Sequence, residues 1–196
     1  MTGDNSKSIL VLGGARAGKS TFALRLAKEL TADGQVCFIA TGQAFDEEMR
    51  ERITRHREER PGHWNTIEEP YQIDEALHQA GEANVVIIDC LTLFVSNWLL
   101  RSEDESQCEA ALQKVVESLL AKIKSQTKTV ICVSNEVGLG LVPDNRLGRT
   151  FRDLLGRVNQ QFAEAADEVL LIVAGLPLRM KPKTESIPNG LSTSTT

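Results

Sequence analysis

A glycine-rich loop held between a short apolar run and an amphipathic segment constrains this chain more than any other feature. Gly13-Gly14-Ala15-Arg16-Ala17-Gly18-Lys19-Ser20 fits the pattern G-x-x-x-x-G-K-[ST]. Residues 8–12 before it are apolar and β-rich, and residues 21–30 after it place Phe22, Leu26 and Leu30 on one helical face. Strand, loop and helix in that order predict a P-loop that cradles the phosphates of ATP or GTP. The glycines let backbone N–H groups turn inward, and the helix N-terminus adds a favourable dipole. Lys19 is expected to reach the β and γ phosphates, and the Ser20 hydroxyl to ligate Mg2+. An ordinary glycine turn before a helix is the weaker reading, because both flanks are what phosphate binding requires.

Four further runs, at residues 36–40, 85–89, 129–134 and 168–174, are short and almost uniformly apolar, as parallel strands covered on both faces should be. Helical spacing appears between them. Leu112, Val115, Val116, Leu119 and Ile123 form one stripe, and Phe151, Leu154, Leu155, Val158 and Phe162 form another within residues 147–166. The alternation predicts an α/β fold of the P-loop NTPase kind, with a mainly parallel central sheet flanked by helices. Asp89 closes the run at 85–89, so its carboxylate is expected at the C-terminal end of a second strand, near Mg2+. Many buried strands end in an Asp that only caps the next helix, and without the P-loop that reading would lead. Asn135 and Glu136 fall at the same sheet edge, where ligands bind in wound α/β folds; substrate contact and turn formation both fit them.

At 196 residues the chain can bury a full core in one domain, expected over residues 8–181, with a flexible N-terminus at 1–7. The stretch 182–196 is rich in Ser, Thr, Pro and Gly and is expected to be a disordered tail. The net charge of −5 is spread along the chain, which argues against a nucleic-acid partner and for a small-molecule substrate. Cys37, Cys90, Cys108 and Cys132 form no C-x-x-C pair and read as core thiols of a reducing compartment. No apolar run approaches membrane-spanning length, and the start of the chain lacks the apolar segment of a signal peptide, so the cytoplasm is the expected location.

Residues 46–61 read as a helix ended by Pro61. Met49, Ile53 and His56 fall at i, i+4 and i+7, which puts the imidazole on the inward stripe. Arg55, Arg57 and Arg60 surround it in sequence, favouring a neutral, nucleophilic ring and offering guanidinium groups to phosphates. From these residues alone a histidine on an apolar stripe is more often a core residue, and that plainer reading leads. His63 and His78 have no comparable context.

Several segments together resemble one family, the bifunctional adenosylcobinamide kinases and adenosylcobinamide-phosphate guanylyltransferases of cobalamin assembly. They are GGARAGKS (13–20), FIATGQAFDEEMRERI (38–53), HREERPGHW (56–64), SNEVGLGLVPDNRLGRTFRDLLGRVNQ (134–160) and AADEVLLIVAGLP (165–177). The resemblance implies two reactions: phosphorylation of the cobinamide aminopropanol hydroxyl with ATP or GTP, then transfer of GMP from GTP to that phosphate. It implies that a histidine carries GMP covalently, and the matching position is His56, which reverses the plainer reading. It also assigns a nucleotide site to residues 13–20, Ala40, Thr41, Gly42, Arg57, Glu58, Glu59, Arg60, Glu68 and Asp89, and implies a homotrimer acting on a corrinoid. Two other readings stay open on the residues: a simple small-molecule kinase in which His56 is structural, and a nucleotide-sensing module without transfer chemistry.

Overall fold

A computed structural model describes residues 6–31, 34–44, 46–102 and 104–181. The elements in chain order are β1 (Ser8–Gly13), α1 (Lys19–Thr31), β2 (Val36–Ala40), α2 (Glu47–Glu58), β3 (Asn65–Glu68), α3 (Ile73–Gln79), β4 (Val85–Asp89), α4 (Leu91–Arg101), α5 (Glu105–Lys124), β5 (Thr129–Val133), α6 (Arg146–Ala165), β6 (Glu168–Val173) and β7 (Leu176–Lys181). The strands form one seven-stranded sheet in the order β3-β2-β4-β5-β1-β6-β7. Every neighbouring pair is parallel except β6 and β7.

Side chains alternate across the sheet with the period of two that a strand imposes. Val86 and Ile88 of β4 join Leu10, Ile39 and Cys132 under α3, α4, α5 and α6. Val85 and Ile87 point the other way and join Val11, Phe38, Val133 and Ile172 against Ala23, Leu24 and Ala27 of α1. The central strands are therefore covered twice, and this is why their sequences read as unbroken apolar runs.

The edges differ. β3 has four residues, of which Asn65 and Glu68 are exposed, and β7 leaves Leu176, Leu178 and Met180 open to solvent. An edge strand needs neither two apolar faces nor length, so a search for apolar runs passes over both. The run read as 168–174 ends one residue earlier, because Ala174 and Gly175 take positive φ values of 50° and 80° and turn the chain back into β7. The run read as 129–134 likewise ends at Val133, and the helix read over 46–61 is confined to α2, with Asp46 as its N-cap.

Residues 1–5 and the whole stretch 182–196 lie outside the described residues. Lys7, expected in a flexible N-terminus, has its ammonium 3.1 Å from Glu168 and its carbonyl accepting from the Val130 N–H. Among the described residues no helix is long and apolar enough to cross a membrane. The parallel arrangement brings the C-terminal ends of β1, β2, β4 and β5 to one edge of the sheet, and the site is built there.

Candidate active site

The loop between β1 and α1 is fixed from several sides. Gly13 has φ 154°, and a Cβ there would sit 2.5 Å from the Ile172 carbonyl oxygen, so only glycine lets β1 pass this close to β6. Arg16, at the exposed crest, holds φ 57°, a left-handed conformation that a side chain seldom adopts. The Gly175 N–H donates to the Ala17 carbonyl at 2.9 Å, so the β6–β7 turn braces the loop from outside. Lys19 opens α1, is buried, and donates from Nζ to the Gly14 carbonyl at 2.7 Å. This hydrogen bond spans the mouth of the loop where phosphate oxygens would compete for the same ammonium. Gly14 and Ala15 are exposed, and Ser20 follows Lys19 on the cleft wall.

At the end of β4 the Asp89 carboxylate faces the same cleft, and its Oδ2 is buried without a hydrogen-bond partner. A buried unpaired carboxylate oxygen is costly, and a cation relieves that cost. The next residue is reached through a cis Asp89–Cys90 peptide bond. Thr41 locks this corner: its hydroxyl donates to the Cys90 carbonyl at 2.7 Å and accepts from the Cys90 N–H at 2.8 Å. The Asn97 amide then donates to the carbonyls of Thr41 (2.8 Å) and Pro70 (3.2 Å), tying the exits of β2 and β3 to α4. Thr41 is thus fully buried with its hydroxyl committed to the protein, whereas Ala40 and Gly42 on either side line the cleft.

The third wall is α2. Asp46 caps it by accepting from the Met49 N–H at 2.7 Å. Met49, Ile53 and His56 are its half-buried stripe, as the spacing predicts, and all three line the cleft with Arg57 and Arg60. Arg55 lies on the opposite side of the helix with Glu58, away from the cleft, and the C-capping Glu59 is exposed. The arginines around His56 are therefore divided by helical geometry. Arg57 pairs with Glu68 at 3.2 Å. Arg60 stacks its guanidinium 3.5 Å above the centre of the Phe38 ring. Burial lowers the Arg60 pKa from its ordinary value, and the Asp89 charge opposes that shift. The Arg60 Nε is itself buried without a partner.

These walls enclose about 700 Å³ that contains, together, Lys19, Ser20, His56, Arg57, Arg60, Glu68 and Asp89. His63 and His78 lie outside it. Sequence reasoning missed the Thr41–Cys90–Asn97 lock and the Tyr71 hydroxyl that donates to Gln43 Oε1 at 3.1 Å on the cleft wall. Neither leaves a spacing signal, because both join residues far apart in the chain.

The sequence model of the family described as cobinamide kinase / cobinamide phosphate guanyltransferase matches residues 9–180. The chain belongs to this family. It is similar to the bifunctional adenosylcobalamin biosynthesis protein CobU of Escherichia coli (strain K12), 44% identical over 183 residues, which cover 88% of this chain and 99% of that protein. It is 43% identical over 173 residues to the bifunctional adenosylcobalamin biosynthesis protein CobP of Pseudomonas aeruginosa, covering 88% of this chain and 96% of that one. As a family member the chain is an enzyme of cobalamin biosynthesis, a kinase and a guanylyltransferase. Two solved structures share the fold: an ATPase domain (TM-score 0.55, 15% identity, 92% of this chain and 78% of that one) and the flagellar accessory protein FlaH of Methanocaldococcus jannaschii (TM-score 0.53, 18% identity, 90% and 78%). At those identities they support the P-loop NTPase architecture alone.

Proposed function

We propose that both family reactions run in this one cleft and that His56 is the group that carries GMP. In the kinase step the aminopropanol hydroxyl of adenosylcobinamide attacks the γ-phosphorus of ATP or GTP. The new P–O bond forms as the bond to the β-phosphate oxygen breaks, and the hydroxyl proton is lost to solvent. In the transfer step an imidazole nitrogen of His56 attacks the α-phosphorus of GTP, a P–N bond forms, and diphosphate leaves. A phosphate oxygen of adenosylcobinamide phosphate then attacks the same phosphorus, the P–N bond breaks, and adenosylcobinamide-GDP is released with His56 restored. A histidine phosphoramidate keeps enough transfer potential for that second displacement.

One observation carries this proposal: His56, on a separate helix, lines the same cleft as Lys19, Ser20 and Asp89. Lys19 and the backbone of residues 13–20 would hold the phosphate chain, and Arg57 and Arg60 would offset charge on the α-phosphate side. Ser20 and Asp89 are the residues that would hold Mg2+. Both present oxygen, and Asp89 Oδ2 is buried in the cleft with no hydrogen-bond partner. When bound, the ion neutralises charge on the β- and γ-phosphate oxygens. Among the described residues no group of three His, Cys, Asp or Glu side chains could hold a metal by itself, so phosphate oxygens and water would complete the coordination.

The proposal extends to a homotrimer in the cytoplasm. Leu139, Leu141 and Val142 in the β5–α6 connection and Val173, Leu176, Leu178 and Met180 in the β6–β7 hairpin are exposed aliphatic side chains that contact between copies would cover. Free Cys37, Cys90, Cys108 and Cys132 suit a reducing compartment.

The test is to follow both products from cobinamide, ATP and GTP in the wild type and His56→Ala. The expected result is cobinamide phosphate from both proteins and the GDP-linked product from the wild type alone. Equal yields of the GDP-linked product would contradict the histidine route, and loss of the phosphate as well would tie His56 to the kinase step.

A further inference from the structure

Asn135, just past the end of β5, is a polar residue of the cleft wall. Its main chain is fully engaged: the N–H donates to Thr92 Oγ1 at 2.7 Å, and the C=O accepts from Asn159 Nδ2 at 2.9 Å. Asn159 is buried and anchored in turn by the Ser134 hydroxyl, which donates to its Oδ1 at 2.7 Å. The neighbours of Asn135 continue the ladder with β1, since Ser134 N–H donates to the Val11 carbonyl and Glu136 N–H to that of Gly13. The Asn135 backbone is thus held from β1, α4 and α6. Its carboxamide, in contrast, makes no hydrogen bond among the described residues and lines the cleft. Glu136 does the opposite: its carboxylate accepts from the Gly138 N–H at 2.7 Å and builds the turn. The two roles open to this pair in the sequence are therefore divided between them, with the turn assigned to Glu136.

Where that carboxamide sits decides what it can meet. The order β4-β5-β1 puts β5 between the strand ending in Asp89 and the strand that feeds the phosphate loop. Asp89 is in register with Val133, and Asn135 lies two residues further toward the edge on the same face. In a P-loop the γ-phosphate projects beyond the Lys-bound β-phosphate toward the metal-binding carboxylate. The tip of β5 adjoins that position from the side of the sheet. We infer that the Asn135 carboxamide is a recognition group for the terminal phosphate of the bound nucleoside triphosphate, donating from Nδ2 to a γ-phosphate oxygen. The inference rests on the nucleotide site proposed above. It adds a group that separates triphosphate from diphosphate, which the backbone cradle around the β-phosphate does not do. In the kinase step the donor would touch the transferred phosphoryl, and in guanylyl transfer the far end of the leaving diphosphate.

The test is calorimetric titration, with Mg2+, of guanosine α,β-methylene triphosphate and the corresponding diphosphate, neither of which can yield GMP to His56. A hydrogen bond to a charged oxygen is worth a factor of about 10 in affinity. Asn135→Ala is therefore expected to lower the triphosphate-over-diphosphate preference about 10-fold with diphosphate affinity unchanged. Asn135→Asp, which sets a carboxylate against the same phosphate, should lower it further, by about 100-fold. A preference retained in both variants, a wild type without one, or a parallel loss of affinity for both ligands would overturn the inference. A wild type that bound neither ligand would instead overturn the nucleotide site on which it rests.

Discussion

The phosphate loop and the helix that bears His56 face each other across one cleft, yet they are anchored in opposite ways. The loop grows directly out of β1 in the middle of the sheet, is pinned by the approach of Gly13 to Ile172 and braced by Gly175, and continues into a helix whose Ala23, Leu24 and Ala27 are core residues. None of the described side chains of α2 is fully buried; Met49, Ile53 and His56 give it a half-buried footing, and the rest of its described surface is charged or polar. Cradling phosphates demands donors at fixed positions, and a core-mounted loop supplies them without reorganisation. On the proposed route His56 meets first a nucleotide and then a bulky phosphorylated acceptor, and it sits instead on an element whose displacement disturbs little of the core.

This contrast can be broken by measuring what each side costs to perturb. Gly13→Ala should have the largest effect, because the new Cβ meets a backbone carbonyl at 2.5 Å and a φ of 154° strains any side chain. A loss of about 3 kcal/mol or more in urea unfolding is expected, and a loss below about 1 kcal/mol would mean that the loop is less tightly built into the sheet than its contacts indicate. Thr41→Val comes next. It keeps the shape but leaves the Cys90 N–H without its partner, while the Cys90 carbonyl keeps only the Phe94 N–H, for about 1–3 kcal/mol. Asp46→Ala should have the smallest global effect. Loss of the cap costs α2 about 1 kcal/mol, read as faster amide exchange confined to its first turn with the unfolding midpoint scarcely moved. A midpoint shift as large as that of Gly13→Ala would show that α2 is part of the core and erase the distinction.

The same contrast governs what could be read from the sequence. The framework of the loop was legible because it is local, a strand, a glycine turn and a helix contiguous in the chain. The central strands were legible because burial on both faces writes itself as an apolar run, while β3 and β7, at the edges, carry no such signal. On α2 the stripe of Met49, Ile53 and His56 followed from helical spacing, but its partner across the cleft did not. Which arginines share the cleft with His56 depends on facing: Arg57 and Arg60 do, and Arg55, adjacent in sequence, does not. Thr41 illustrates the remaining gap. It falls within the segment matched to the nucleotide site, yet its hydroxyl is spent on Cys90, a residue 49 positions away, and only the folded chain shows that bond.

The central claim is that the cradle presents the α-phosphorus of GTP to His56. It is tested most directly by incubating the protein with GTP labelled at the α-phosphate or, separately, at the γ-phosphate, followed by mass mapping of the modified peptide. The expected result is an acid-labile, base-stable GMP adduct on His56 from the α-label alone, absent in His56→Ala. An adduct on another residue, a γ-label retained on the protein, or no adduct under saturating GTP and Mg2+ would contradict it.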